Sequence, residues 1–232
     1  MDAATILLIV IFVIGSVIWF LLAYLVGLFN NRRQEAFHVW AKLHNWSYDC
    51  RQDRKNYRHY SVLNRLQKGS NRYAFDTLKG TWNGYQAEAF NFHYETYSTS
   101  SHGSTTTTTT HHHYLGVVII QIERSFPELV IFPQNFMEKM RNAVGARGIK
   151  FESLEFSKKF TVLCKNKKFA WDFCHARMME YLLARPEICL ELENNIFALY
   201  KPRGNINPDN VEEGLIKLCD LRQLMPEYLF RS

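Results

Sequence analysis

The sequence lacks the short motifs that mark common catalytic sites. It contains no GxSxG, HExxH, GxxxxGK[ST], GxGxxG or CxxC pattern, and therefore none of the nucleophile, zinc, phosphate-loop, dinucleotide or redox signatures that these patterns carry. The adjacent Cys174 and His175 would diverge by about 100° on a helix, so they do not form a nucleophile–base pair. His93 and Glu95 share one face of a predicted strand and could pair there, as surface residues also do by chance. We therefore expect a protein that is not an enzyme and binds no cofactor.

The cysteines lack regular spacing as well. They form an odd, scattered set: Cys50, Cys164, Cys174, Cys189 and Cys219. Such a set is typical of thiols in a reducing compartment and argues against a disulfide framework.

Charge is missing from the apolar run between Thr5 and Phe29. A bilayer core is crossed by about 20 apolar residues in a helix, so residues 1–30 are predicted to be a transmembrane anchor. Trp19 and Tyr24, towards one end of the run, fit a membrane interface. A cleaved signal peptide would need a basic start, a shorter apolar part and a small-residue cleavage site, and the run shows none of these. We therefore predict a single-pass membrane protein.

Positive charge follows this run. Residues 31–71 are predicted to be a basic juxtamembrane helical segment, and Lys and Arg beside a span favour the cytoplasmic side. The amino terminus is therefore predicted to lie outside and the carboxy-terminal domain in the cytoplasm. Two explanations of this positive charge are open. The segment contacts anionic lipid headgroups, or its charge only sets the orientation of the chain in the membrane. No nucleic-acid signature accompanies the charge, so no nucleic-acid partner is expected. The residues predicted to contact the membrane surface are Arg32, Arg33, Lys42, Arg51, Arg54, Lys55 and Arg58.

Residues 72–232 are predicted to form an α+β cytoplasmic domain, in which antiparallel hairpins pack with about three helices after the transmembrane helix. Alternating runs on either side of Asn83-Gly84 predict a hairpin, because this dipeptide suits a type I′ turn. Further strands are predicted at 114–123, 129–132 and 160–164, with a second hairpin formed by 189–193 and 196–201. Helices are predicted at 136–144, 169–184 and from Pro208 onwards.

Residues 97–113 are rich in Ser, Thr and His and offer no apolar side chains for a core. They are predicted to be a mobile loop or an extended pair of strand ends. His102, His111, His112 and His113 are weak candidates for metal ligands. Consecutive residues on a strand point to alternating faces, however, and no cysteine or carboxylate lies within this tract. A solvated loop without metal is therefore the expected state.

Several stretches resemble an uncharacterised family of bacterial membrane proteins, in which one or more spans precede a cytoplasmic domain of unknown function. They are Phe151–Phe160, Phe169–Asp172, Met178–Leu183, Leu190–Glu193 and Phe90–Tyr94, together with Gly80 and Gly84. The family pattern has a glycine-bounded hairpin followed by an FDYxY-like strand, and Asn91 and His93 replace the usual residues of that strand. The resemblance implies an architecture and no activity, ligand or catalytic residue.

By elimination, these features predict a membrane-anchored protein-interaction module: a scaffold, an assembly factor or an accessory subunit of a membrane complex. Its expected partners are the bilayer, other proteins or a second copy of the chain, with anionic headgroups as a further contact. A lipid or small-ligand sensor at the cytoplasmic membrane surface is the alternative, and metal binding through the histidine loop is a third.

Overall fold

A computed structural model describes residues 3–103, 105–134 and 148–231. The predicted helix 136–144 lies outside the described residues. The α-helices are α1 (Ala3–His44), α2 (Leu154–Lys159), α3 (Lys167–Phe173), α4 (Ala176–Leu183) and α5 (Pro208–Leu224). The strands are β1 (Ser47–Asp49), β2 (Ser70–Trp82), β3 (Tyr85–His102), β4 (Thr105–Pro133), β5 (Phe160–Cys164) and β6 (Leu190–Lys201).

All six strands form one antiparallel sheet around β4. Along one edge of β4, its first part pairs with β3 and its last part with β5. β6 pairs with β4 along the other edge, from Gly116 to Ile131. β2 and then β1 extend the sheet beyond β3. The α+β class predicted for the domain is therefore confirmed.

The predicted first hairpin is also confirmed. Asn83 and Gly84 connect β2 to β3 with φ angles of 48° and 86°. Asparagine and glycine adopt this left-handed conformation more readily than other residues, as a two-residue hairpin turn requires.

The predicted second hairpin is a single strand, β6. Asn194 has a φ of 54° and lies opposite Phe126 of β4, where the pairing shifts register. The positive φ therefore bends β6 at a bulge, and both halves remain paired with β4.

The two faces of the sheet carry separate apolar cores. One face packs against α1, α5 and the short helices, with Phe37, Leu78, Phe173 and Leu215 among its fully buried side chains. The other face packs against the segment 57–66, with Leu63, Phe90 and Phe92 fully buried. Both faces of the sheet are therefore covered at its centre.

The predicted transmembrane anchor, with its single-pass topology, is corrected. Among the described residues, no helix combines the length and the apolar content that crossing a membrane requires. The apolar run is the first part of the 42-residue helix α1, which continues through polar residues to His44. The predicted outside and cytoplasmic locations depended on that span and are withdrawn with it.

Residues 97–113 lie mostly in the two strands of the longest hairpin. β3 continues to His102, β4 begins at Thr105, and Ser98 pairs with Thr109 in register. This segment was predicted to be either a mobile loop or an extended pair of strand ends, and it forms extended strand ends. Backbone pairing supplies the order that the small polar side chains cannot supply through burial.

Candidate functional site

Residues 11–25 of α1 expose a surface that carries no charged side chain. Its large side chains between Ile11 and Leu25 are 40% to 77% exposed, and they occupy successive positions along the helix. Successive helical residues differ in direction by about 100°, so every side of this stretch is apolar and open. We call residues 11–25 the apolar segment. Contiguous apolar surfaces of this size are typical of contact sites for other molecules.

The second half of α1 fixes the helix to the sheet. Phe37 is fully buried and stacks on Tyr48 of β1, with 5.3 Å between the ring centroids. Trp40 is 7% exposed, and its Nε1 donates a hydrogen bond to Glu212 of α5 at 3.3 Å. The helix is therefore held at one end and presents its apolar segment at the other.

Asp76 adds a polar attachment beneath α1. This carboxylate is 1% exposed and forms an ion pair with Arg33 of α1 at 3.1 Å. It accepts hydrogen bonds from the Tyr48 hydroxyl at 2.9 Å and from Asn91 Nδ2 at 3.3 Å. Burial, followed by the nearby Asp76 carboxylate, raises the pKa of Tyr48 well above its usual range, so this hydroxyl stays protonated and donates. One buried group therefore links α1 to three strands.

The predicted membrane-contact residues are distributed over two elements. Six of the seven are exposed: Arg32 and Lys42 on α1, and Arg51, Arg54, Lys55 and Arg58 after β1. Arg33 is the exception, because it is turned towards Asp76 and its side chain is 28% exposed. Lipid contact by the other six stays a prediction.

The consecutive histidines of β4 point to alternating faces, as their spacing predicts. His113 Nε2 lies 2.8 Å from Thr96 Oγ1, and His111 Nε2 lies 2.8 Å from Ser98 Oγ, both on one face of the hairpin. His112 points to the opposite face. The side chain of His102 lies outside the described residues. Of the predicted metal candidates whose side chains are described, His112 is therefore separated from His111 and His113.

His112 instead meets two residues of β3. Its Nδ1 lies 3.1 Å from His93 Nε2 and 3.4 Å from Glu95 Oε1. His93 and Glu95 are 2% and 9% exposed, whereas the His112 side chain is 55% exposed. Together they form a small polar cluster that is open to solvent on the His112 side.

A cleft of about 330 Å³ lies beside this hairpin, and its lining includes Arg65, Lys68, His112, His113 and Arg203. Burial, and then repulsion from Arg65, lowers the pKa of Lys68. The sequence-based alternative, a lipid or small-ligand sensor, named no cleft as its binding site. That role stays a prediction.

Behind the cleft lies a buried carboxyl group, Glu191 of β6. It is 0% exposed and accepts hydrogen bonds from Asn64 N at 2.7 Å and from the Tyr200 hydroxyl at 2.8 Å. Burial outweighs these hydrogen bonds and raises the pKa of Glu191 above its usual range. The folded state therefore binds a proton here more readily than the unfolded chain does.

This raised pKa predicts a loss of stability with increasing pH. The contribution of Glu191 is most favourable below its unfolded pKa of about 4.3, falls as pH rises towards the folded pKa, and is constant above it. The slope is at most about 1.4 kcal/mol per pH unit. We expect Glu191→Gln to remove this decline when urea unfolding is measured from pH 4 upwards. Glu155→Gln, at an exposed ion pair with Lys159, is the control. Parallel pH profiles for wild type and Glu191→Gln would contradict the prediction.

Cys174 and His175 do not form a catalytic pair. Cys174 is 2% exposed, and burial raises the pKa of its thiol well above the usual range. His175 Nε2 lies 2.8 Å from the Leu224 carbonyl and donates to it. The Cys174 thiol is therefore a poor nucleophile. The His175 ring is hydrogen-bonded to the last residue of α5.

The fold defines a class: an α+β protein with one antiparallel sheet and a long helix fixed across one of its faces. No protein-family model matches the sequence, and no curated protein matches it. Among solved structures, the fold is similar to the crystal structure of the mycobacterial trehalose monomycolate transport factor A, TtfA, with a TM-score of 0.52. The two chains are 15% identical, and the similarity covers 85% of this chain and 96% of the other. At this identity the similarity shows the fold alone. It is consistent with an uncharacterised family, but no match shows which family that is.

Proposed function

We propose that this chain is a protein-interaction module that serves as a scaffold, assembly factor or accessory subunit. The observation that carries the proposal is the apolar segment of α1, whose large side chains are at least 40% exposed. A helix that is apolar on all sides is normally buried. The TtfA neighbour is a transport factor, and an accessory role for this chain is consistent with that.

The apolar segment also indicates the chemistry of the partner. It carries no charged side chain, so a matching surface is apolar and contributes few ion pairs. An added Cβ at Gly15 would meet no atom within 4 Å, so a neighbouring helix can approach closely there. We therefore propose that the partner contributes apolar helices that surround this segment. The role is one of binding, without catalysis by this chain.

Photocrosslinking in the native host tests this proposal. A photoreactive phenylalanine analogue would replace Phe12 or Phe20, which are 77% and 67% exposed on the apolar segment. The matched control is Tyr228, an aromatic residue that is 56% exposed near the other end of the chain. We expect one protein adduct of defined mass from both α1 positions and none from Tyr228.

Peptide mapping of the adduct decides its meaning. Crosslinks to apolar helices of a different polypeptide support the accessory role. Adducts that contain only a second copy of this chain, equal labelling from Tyr228, or no protein adduct from either α1 position would each overturn it.

A further inference from the structure

We propose that His93, Glu95 and His112 bind a divalent transition-metal ion of the zinc class. One potential ligand atom from each residue lies within 4.8 Å of the other two. This site is separate from the apolar segment, and its existence does not depend on the proposed interaction role.

The hairpin register places the three side chains on one face. His93 and Glu95 are two residues apart on β3, so both point the same way. His112 of β4 is directly opposite Glu95, and Tyr114 is opposite His93. Directly opposed and diagonal residues of an antiparallel pair are within reach of each other's side chains. The backbone of two paired strands therefore holds all three residues in place.

The separations match those between the ligands of one ion. Zinc–nitrogen and zinc–oxygen distances are near 2.1 Å, so two tetrahedral ligand atoms lie about 3.4 Å apart. His93 Nε2 and His112 Nδ1 are 3.1 Å apart, and His112 Nδ1 and Glu95 Oε1 are 3.4 Å apart. Small movements of the side chains are sufficient to place an ion between them.

His93 is oriented as a metal ligand. Its Nδ1 lies 3.1 Å from the Asn71 carbonyl oxygen and donates to it. With the proton on Nδ1, the lone pair of Nε2 faces the other two groups. The ring also stacks on Tyr73, with 4.5 Å between centroids. A backbone carbonyl behind a histidine is a common outer contact of bound metals, because it fixes the tautomer and the ring direction.

Glu95 is held in a similar way. Asn71 Nδ2 donates to its Oε1 at 2.6 Å, and the Tyr97 hydroxyl donates to its Oε2 at 3.0 Å. These two hydrogen bonds fix the orientation of the Glu95 carboxylate beside His112. Asn71 thus positions two of the three ligands, one through its carbonyl and one through its amide.

The donor set selects the class of metal. Two imidazole nitrogens and one carboxylate suit Zn²⁺, Co²⁺ and similar ions, whereas Ca²⁺ and Mg²⁺ prefer oxygen ligands. Three protein ligands leave a fourth position for water or for a ligand from another molecule. The exposed side of His112 gives the ion a path from solvent.

The test is Zn²⁺ binding by the tag-free full chain, measured by isothermal titration calorimetry, with Co²⁺ absorption as a second readout. We expect one ion per chain, and a loss of at least about tenfold in affinity for His112→Ala and for Glu95→Gln. His111→Ala is the matched control, since it is the adjacent exposed histidine on the opposite face, and its affinity should equal that of wild type. Circular dichroism shows whether each variant remains folded.

A positioning variant adds a separate check. Asn71→Gly keeps the backbone free to adopt its φ of 45° and deletes the amide that holds Glu95. We expect about a tenfold loss of affinity with the four-coordinate Co²⁺ spectrum retained. The proposal is overturned if wild type binds no Zn²⁺ at micromolar concentrations, or if His111→Ala weakens binding as much as His112→Ala does.

Discussion

Replacing Asp76 by alanine is expected to lower the free energy of unfolding by about 3 kcal/mol. The change leaves Arg33 without its partner and removes the acceptor for the Tyr48 hydroxyl and for Asn91. The expected loss lies at the low end of the range for a buried ion pair, because the Arg33 side chain is 28% exposed and keeps part of its hydration. The φ of Asp76 is 51°, which adds strain for alanine.

Two controls separate these contributions in urea unfolding experiments. Asp76→Asn keeps the shape and tolerates the positive φ, so its loss should be about half as large. Asp49→Ala removes an ion pair with Arg51 whose side chains are 49% and 83% exposed, and its cost should be below about 1 kcal/mol. Equal losses for Asp76→Ala and Asp49→Ala would show that the buried network contributes no more than a surface pair.

Phe37→Ala should have the largest effect, a loss of about 3–5 kcal/mol. Phe37 is 0% exposed and stacks on Tyr48, so its removal opens a cavity between α1 and the sheet. For a chain of this size, each kcal/mol lowers the melting temperature by about 2–4 °C. Differential scanning calorimetry and urea unfolding both measure this change.

Val39→Ala is the matched control for Phe37→Ala. It lies two residues further along the same helix and is 54% exposed, so its cost should stay within about 0.5 kcal/mol. If Phe37→Ala were equally mild, α1 would not be fixed to the sheet by its buried face.

Local chemistry explains which parts of the fold could be predicted. The β2–β3 hairpin follows from Asn83-Gly84, since few dipeptides adopt two consecutive positive φ angles. β6 was predicted as a hairpin because Asn194-Asn195 resembles a turn. Its strand is continuous because both halves pair with β4, and pairing with a strand about 70 residues away is not encoded in the dipeptide.

Helix α1 shows how a correct pattern led to a wrong structural prediction. The apolar run from Thr5 to Phe29 does form a helix, but that helix continues to His44 and is fixed by Phe37 and Trp40. Residues 31–71 were predicted to be a helical segment, and α1 extends into them as far as His44. The packing of this part of α1 on a sheet depends on partners such as Tyr48 that sequence patterns do not identify.

The polar cluster was predictable in part. The two-residue spacing of His93 and Glu95 places them on one face of a strand. The addition of His112 required the register of β3 and β4, which pairs Glu95 with His112. A shift of one residue would bring His111 or His113 to that position instead, and the Ser/Thr-rich sequence between the strands does not set the register by itself.

The central position of β4 has a consequence for synthesis on the ribosome. β4 ends at Pro133, whereas β6, which covers its outer edge, ends at Lys201, about 70 residues later. At a translation rate of about 5–20 residues per second, this edge waits about 3–14 s for its partner. During that interval the nascent chain exposes Val117–Ile120 along an unpaired strand, which is a template for aggregation. Co-translational folding of the sheet is therefore complete only after residue 201 has been synthesised, when β6 pairs with this edge.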